Sequence, residues 1–237
     1  MLFRSCSASS SSTALAVTAG TGATPGSYAV AITQLAQSHK LCSPGQASDS
    51  ADLGAGSLTL SVAGGAPVTL APATNSLRAL RDAIKASGLP VTASLVNDGG
   101  ASGHRLVIAG RDSGAGKTIA LTGTGALAAF SYDPSAPVNF AYDAGGLPPA
   151  VMSQTQAAQD AQLTVDGVKI SSATNTVTGA IGGVTLQLSQ VTTAPATLTV
   201  TRDTAGVKSS INAFVKSYNE LRSLVGTRVA EGEDKLA

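Results

Sequence analysis

Between residues 14 and 201, apolar positions alternate with small polar ones in short runs, the period of half-buried strands. Residues 14–19 and 28–35 read as two such runs, and the Gly-, Thr- and Pro-containing residues 20–26 between them read as a turn. The pattern therefore predicts a β-hairpin over 13–41. Residues 43–56 lose the alternation and read as a polar linker. Strands follow at 57–62 and 67–70 about Gly64-Gly65. Asn75 is placed to cap a helix over 76–86, which carries Leu77, Leu80 and Ile84 on one face and ends at Gly88. Strands at 91–96 and 105–109 flank Asn97-Asp98-Gly99-Gly100, a further strand covers 118–121, and residues 123–150 read as loop. Residues 162–165 and 168–170 form a hairpin about Asp166-Gly167, followed by strands at 184–188 and 196–201.

At Thr204 the period changes. Val207, Ile211, Phe214, Tyr218, Leu221 and Val225 are spaced 4-3-4-3-4, the heptad seam of a helix that packs lengthwise on another helix. Asp203 or Thr204 can cap its start. No other segment offers a long partner helix, so the seam calls for helices beyond this sequence or for another subunit; the alternative is an amphipathic helix lying on the sheet. A faint repeat also runs through the chain. Thr74-Asn75-Ser76-Leu77 echoes Thr174-Asn175-Thr176-Val177, and each follows a hairpin.

Composition narrows the function classes. Hydrophobic residues make up 43% of the 237 positions, Trp is absent, and Ala, Val and Leu fill the core. Charged residues are only 12% and the net charge is +1, so there is no electrostatic footprint for nucleic acid or an anionic membrane. The first 23 residues lack the charged and apolar regions of a cleaved signal peptide. No apolar run reaches membrane-spanning length. The abrupt start and the ending at 233–237 read as those of a trimmed chain.

Candidate chemistry is thin. Ser113-Gly114-Ala115-Gly116-Lys117-Thr118 resembles the end of a phosphate-binding loop, but Arg111 stands where the first Gly is needed, and a strand rather than a helix follows. A hairpin turn is the expectation there. His39 and His104 lie apart from any cluster of ligands and read as surface or turn residues, so no metal site, cofactor or catalytic residue is assigned. Cys6 and Cys42 sit almost symmetrically about the turn near Thr24. Extending the expected hairpin would bring them together as a possible disulfide, closing about 35 residues and worth roughly 3–4 kcal/mol. Two unrelated thiols are the alternative.

Several stretches resemble the bacterial flagellar filament cap family of hook-associated proteins. Residues 25–41, with Thr33-Gln34-Leu35-Ala36-Gln37 at their centre, resemble its N-terminal region. Residues 158–167 and 171–177 with Gly183-Val184-Thr185-Leu186 are similar to the start of its C-terminal region. Residues 200–204 and 214–221 resemble its returning leg helix, and 57–121 resemble the flagellin hook motif, with Lys85 and Gly182 as departures. The resemblance implies a mainly β fold with some α: two β-rich head domains, one inserted in the other, plus a C-terminal leg helix. Residues 1–12 would be a tail, 13–45 with 157–203 the inner head domain, 46–156 the outer one, and 204–237 the start of the leg.

The same resemblance implies a secreted, non-enzymatic protein at the flagellar filament tip, exported without a cleaved signal peptide. It would self-associate into a ring and promote folding and insertion of exported flagellin subunits. The alternative it implies is a tip adhesin binding host mucin or surface glycans, with loops 97–104 and 123–150 as the candidates.

Overall fold

The computed structural model describes residues 6–144 and 146–233, and the side chains of these except at 205, 207 and 225–233. The chain begins with β1 (Cys6–Ser10), β2 (Leu15–Ala19) and β3 (Gly26–Gln34). It then runs through β4 (Ser38–Cys42), β5 (Leu58–Val62), β6 (Val68–Leu70), α1 (Leu77–Ala86), β7 (Val91–Asn97), β8 (His104–Ser113) and β9 (Ile119–Gly123). A short 3-10 helix (Gly125–Phe130) and β10 (Ser153–Gln156) follow. The last stretch is β11 (Ala161–Val165), β12 (Val168–Ser172), β13 (Thr176–Ile181), β14 (Val184–Leu188), β15 (Ala196–Arg202) and α2 (Thr204–Glu233).

The strands form two units with separate cores. The inner unit is a sandwich of a five-stranded sheet, β1-β15-β3-β11-β12, on a three-stranded sheet, β13-β14-β2. Alternation does the work: Val30 and Ile32, Leu163 and Val165, and Leu198 and Val200 point in from one sheet. Leu15, Val177, Val184, Leu186 and Leu188 meet them from the other. The outer unit has a four-stranded sheet, β10-β4-β8-β7, a three-stranded sheet, β6-β5-β9, and α1. Its core gathers Leu58, Leu60, Leu106, Ile108, Phe130 and the α1 face of Leu77, Leu80 and Ile84. Burying each of those three helix side chains stabilises the unit by about 1.5–3 kcal/mol.

Several expectations are corrected. The strands of the 13–41 hairpin exist but do not pair. β3 lies between β15 and β11, while β2 joins β14 in the facing sheet. Separating them lets both bury an apolar face in one sandwich. Residues 1–12 are not all tail, because β1 pairs with β15 from Cys6↔Arg202 to Ser10↔Leu198. The outer unit starts earlier than residue 46: β4 pairs with β8 and β10, and its Leu41 enters the outer core. Ser76, not Asn75, caps α1, accepting from Ala79 N at 3.2 Å. Asn75 instead donates to the carbonyls of Gly54 (2.7 Å) and Gly56 (3.1 Å), tying the linker to the helix start. The Asp166-Gly167 hairpin turn has both residues at positive φ, 48° and 84°, the geometry of the tight turn that joins β11 to β12.

Candidate functional site

A row of exposed large apolar side chains runs along α2. Asp203 Oδ1 accepts from Gly206 N at 2.8 Å and so caps its first turn. The helix has 30 residues and is therefore about 45 Å long. Every side chain from Lys208 to Leu224 is exposed. Of the seam, Ile211, Phe214, Tyr218 and Leu221 are 50–70% accessible, with Val215 and Leu224 beside them. The side chains of Val207 and Val225 lie outside the described residues. The Phe214 and Tyr218 rings stack on each other with centroids 6.5 Å apart, one turn along the same face. Lys216 and Glu220 form an i,i+4 pair at 3.9 Å on the polar flank. An exposed apolar stripe of this kind marks an interaction surface in general.

The two loops picked out as candidates, 97–104 and 123–150, do meet. They line an open cleft of about 890 Å³ on the outer unit, with Asp98, Arg105, Phe130 and Tyr142 among its walls. The Asn97–Gly103 loop is braced by its own side chains: Asp98 Oδ1 accepts from Gly100 N at 2.9 Å, and Arg105 Nε donates to Asp98 Oδ2 at 3.2 Å. The Gly100 amide and then Arg105 hold the Asp98 carboxyl below the usual carboxylate range. Arg105 is nearly fully buried, donates to Ser43 O at 3.2 Å and lies 5.8 Å from the Phe140 ring centroid.

The cysteines do not form the expected disulfide. Both are free thiols in different sheets, Cys6 donating to Ala23 O at 3.2 Å and Cys42 pointing at Ser43 O at 3.7 Å. The premise fails because β2 and β3 never pair, so the hairpin cannot be extended to bring them together. Burial pushes the Cys42 thiol up from its ordinary value.

His39 is also placed differently from the expectation of a surface residue. It is 1% exposed, its Nδ1 accepts from Ile119 N at 2.9 Å, and its Nε2 pairs with Gln154 Oε1 at 3.0 Å. Gln154 Oε1 also accepts from Tyr132 Oη at 3.0 Å. The network joins β4, β9 and β10, and burial lowers the His39 pKa. Strand parity carried the signal: His39 shares a face with Leu41, a core residue.

The P-loop-like turn is neither a phosphate loop nor a hairpin. It connects β8 and β9, which lie in different sheets. Among the described residues, no group of three or more His, Cys, Asp or Glu could hold a metal ion. Nor is any helix among them long and apolar enough to cross a membrane.

Comparison with known proteins bears on this geometry. The family described as flagellar hook-associated protein 2 matches through its C-terminal part at residues 158–235 and its N-terminal part at residues 2–39. The A-type flagellar hook-associated protein 2 of Pseudomonas aeruginosa is 36% identical over 230 residues, covering 93% of this chain and 48% of that protein. The flagellar hook-associated protein 2 of Escherichia coli K12 is 36% identical over 229 residues, covering 93% and 46%. The chain thus spans about half the length of the curated relatives it matches. Among solved structures, the D2-D3 domains of the flagellar cap protein FliD from E. coli superpose with a TM-score of 0.72 at 31% identity, over 84% of this chain and 100% of that one. FliD from P. aeruginosa PAO1 superposes with a TM-score of 0.76 at 31% identity, over 89% and 94%.

Proposed function

The chain belongs to the flagellar hook-associated protein 2 family of filament cap proteins, and from that premise we propose that it supplies the head and the first part of the leg of such a cap. Several copies form an oligomeric plate at the distal end of the filament, where exported flagellin subunits fold and are inserted. The mechanism is geometric and assigns no covalent step to any residue. The protein reaches the tip by export without a cleaved signal peptide.

The observation that carries the reading is the exposed α2 stripe. A helix cannot leave Ile211, Phe214, Tyr218 and Leu221 in water without a hydrophobic cost of about 1.5–3 kcal/mol for each large side chain that could be buried. Coverage by leg helices or neighbouring subunits recovers it. A ring requires the same contact repeated head to tail until it closes. The low surface charge suits contacts that are broken and remade as subunits are added. No relative named above lends support to the adhesin alternative, and the cleft beside Tyr142 has no observation that favours a glycan.

Light scattering across a concentration series tests the proposal, on this chain beside a form extended at both ends to the length of its relatives. The extended form is expected to close into a ring of fixed subunit number, while this chain dissociates on dilution. If both stay monomeric at every concentration, the capping mechanism loses its support.

A further inference from the structure

The turn that resembled a phosphate loop sits at the junction of the two units. The chain enters the outer unit at residues 37–38 and leaves it at 156–159. At that crossing the two strands are bonded to each other, Gln37 N donating to Gln159 O at 2.9 Å and Gln159 N to Gln37 O at 3.2 Å. Two adjacent strands alone make a hinge, because rotation about their common line breaks no contact. The turn after β8 adds contacts to one side of that line.

Within the turn, Gly114 takes φ +114° and Lys117 N closes back onto Gly114 O at 2.9 Å. Ser113 Oγ, on the outer unit, donates to Ala173 O on the inner unit at 2.8 Å. Ala115 N donates to Asp160 Oδ1 at 2.7 Å. Asp160 is itself fixed: its other carboxylate oxygen accepts from Ser171 Oγ at 3.3 Å and its carbonyl from Gln34 Nε2 at 2.7 Å. The backbone of Gly114 lies so close to the inner unit that an added Cβ would stand 2.9 Å from Ala173 Cβ and 3.1 Å from its carbonyl oxygen. Glycine is required here twice over, for its positive φ and for this approach.

We propose that the Ser113–Ala115 turn is a latch that holds the two head units at one fixed angle, with Asp160 as the residue that keeps it closed. Without it, the crossing at Gln37 and Gln159 is a hinge and the units reorient independently. The inference does not depend on what the chain assembles into.

The test is amide nitrogen relaxation by NMR, which gives a rotational correlation time for each unit and reports folding residue by residue. In the unaltered chain the cores around Leu163 and Ile108 should share one time. Asp160→Ala removes the acceptor for Ala115 N, and Gly114→Val forces the turn off Ala173. Each is expected to replace the shared time with two shorter, unequal ones while the chemical shifts of both cores persist. Asp160→Asn keeps an oxygen acceptor and should keep the shared time. If Gly114→Val also disturbs the β8 end, Asp160→Ala, which touches only side-chain contacts, still decides. A single shared time in Asp160→Ala, with both cores folded, overturns the latch.

Discussion

In the inner unit the core is aliphatic from end to end, supplied by Ala, Val, Leu and Ile of facing strands. In the outer unit the core adds a helix, Phe130, Tyr132 and Met152. All the buried polar or charged side chains among the described residues also fall there: His39, Ser43, Ser76, Arg105 and Ser153. Four of these are hydrogen-bonded, whereas Ser153 Oγ has no partner. A core lined by aliphatic side chains is stabilised chiefly by the apolar area it buries. A core with buried polar groups is held by a network in which each lost partner exposes the full desolvation cost of the other. The two units therefore carry the same kind of sheet but different vulnerabilities.

The strongest way to break this comparison is to open a cavity in each core in turn. Leu198→Ala in the inner unit and Ile108→Ala in the outer one should each cost about 2–5 kcal/mol. Hydrogen exchange should show the loss of protection confined to the unit that carries the substitution. Equal loss in both units would mean that they unfold together and that the contrast has no thermodynamic meaning.

A sharper test uses the two echoed asparagines. Asn175 Oδ1 accepts from Ala36 N at 2.7 Å and its Nδ2 donates to Ala36 O at 2.9 Å, so one side chain satisfies a buried residue's whole backbone. Asn175→Ala should cost about 1–3 kcal/mol in denaturant unfolding, because Ala36 N is left without a partner. Asn75→Ala frees only two carbonyls near the surface and should cost about 0.5–1.5 kcal/mol. A reversed order would contradict the burial argument.

A gentler probe needs no substitution. Both histidines of the chain lie in the outer unit. The unfolded chain takes up a proton on His39 near its ordinary pKa of about 6.5, whereas the folded chain resists it, since burial lowers the value and Nδ1 is already accepting from Ile119 N. Below pH of about 6.5 the unfolded state thus binds more protons, and stability falls as the pH drops; above it both states are neutral and nothing changes. The carboxyls of Asp49, Asp98 and Asp133 are also lowered, but their losses begin only as the pH falls into the ordinary carboxylate range, well below that of His39. Melting followed at mildly acidic and mildly alkaline pH should show the outer unit weakening in acid and the inner unit unmoved, and His39→Gln should flatten the response. The smallest effect is expected at the stripe: Phe214→Ser should change head stability by no more than about 0.5 kcal/mol, since an exposed side chain supports neither core. A larger loss would show that α2 packs on the head.

The sequence carried the strands better than their partners. Alternation located β5, β7, β11, β14 and β15, and the heptad spacing located α2, because both periods are local. Pairing is not local: residues 14–19 and 28–35 look like neighbours and lie in opposite sheets. The echo of Thr74-Asn75 in Thr174-Asn175 hides the same limit, since a helix follows the first and a strand the second. Short polar strands were misplaced: β1 passed as tail, and β4 as the end of the 13–41 hairpin in the inner unit, because Ser, His and Lys mask their period. Of the candidate site, the apolar seam was legible, whereas the junction contacts join residues more than 40 positions apart and left no trace in spacing.

Gln37 and Gln159 face each other across one pair of hydrogen bonds, yet more than a hundred residues lie between them. The outer unit is therefore a cassette whose two ends already touch. Removing it and closing the gap with a short turn would leave β3 and β11 side by side in their own register. Another cassette whose ends are equally close could be spliced in its place. A change of sequence or size can thus be confined to one replaceable block, while the sandwich and the helix that follows it are left untouched.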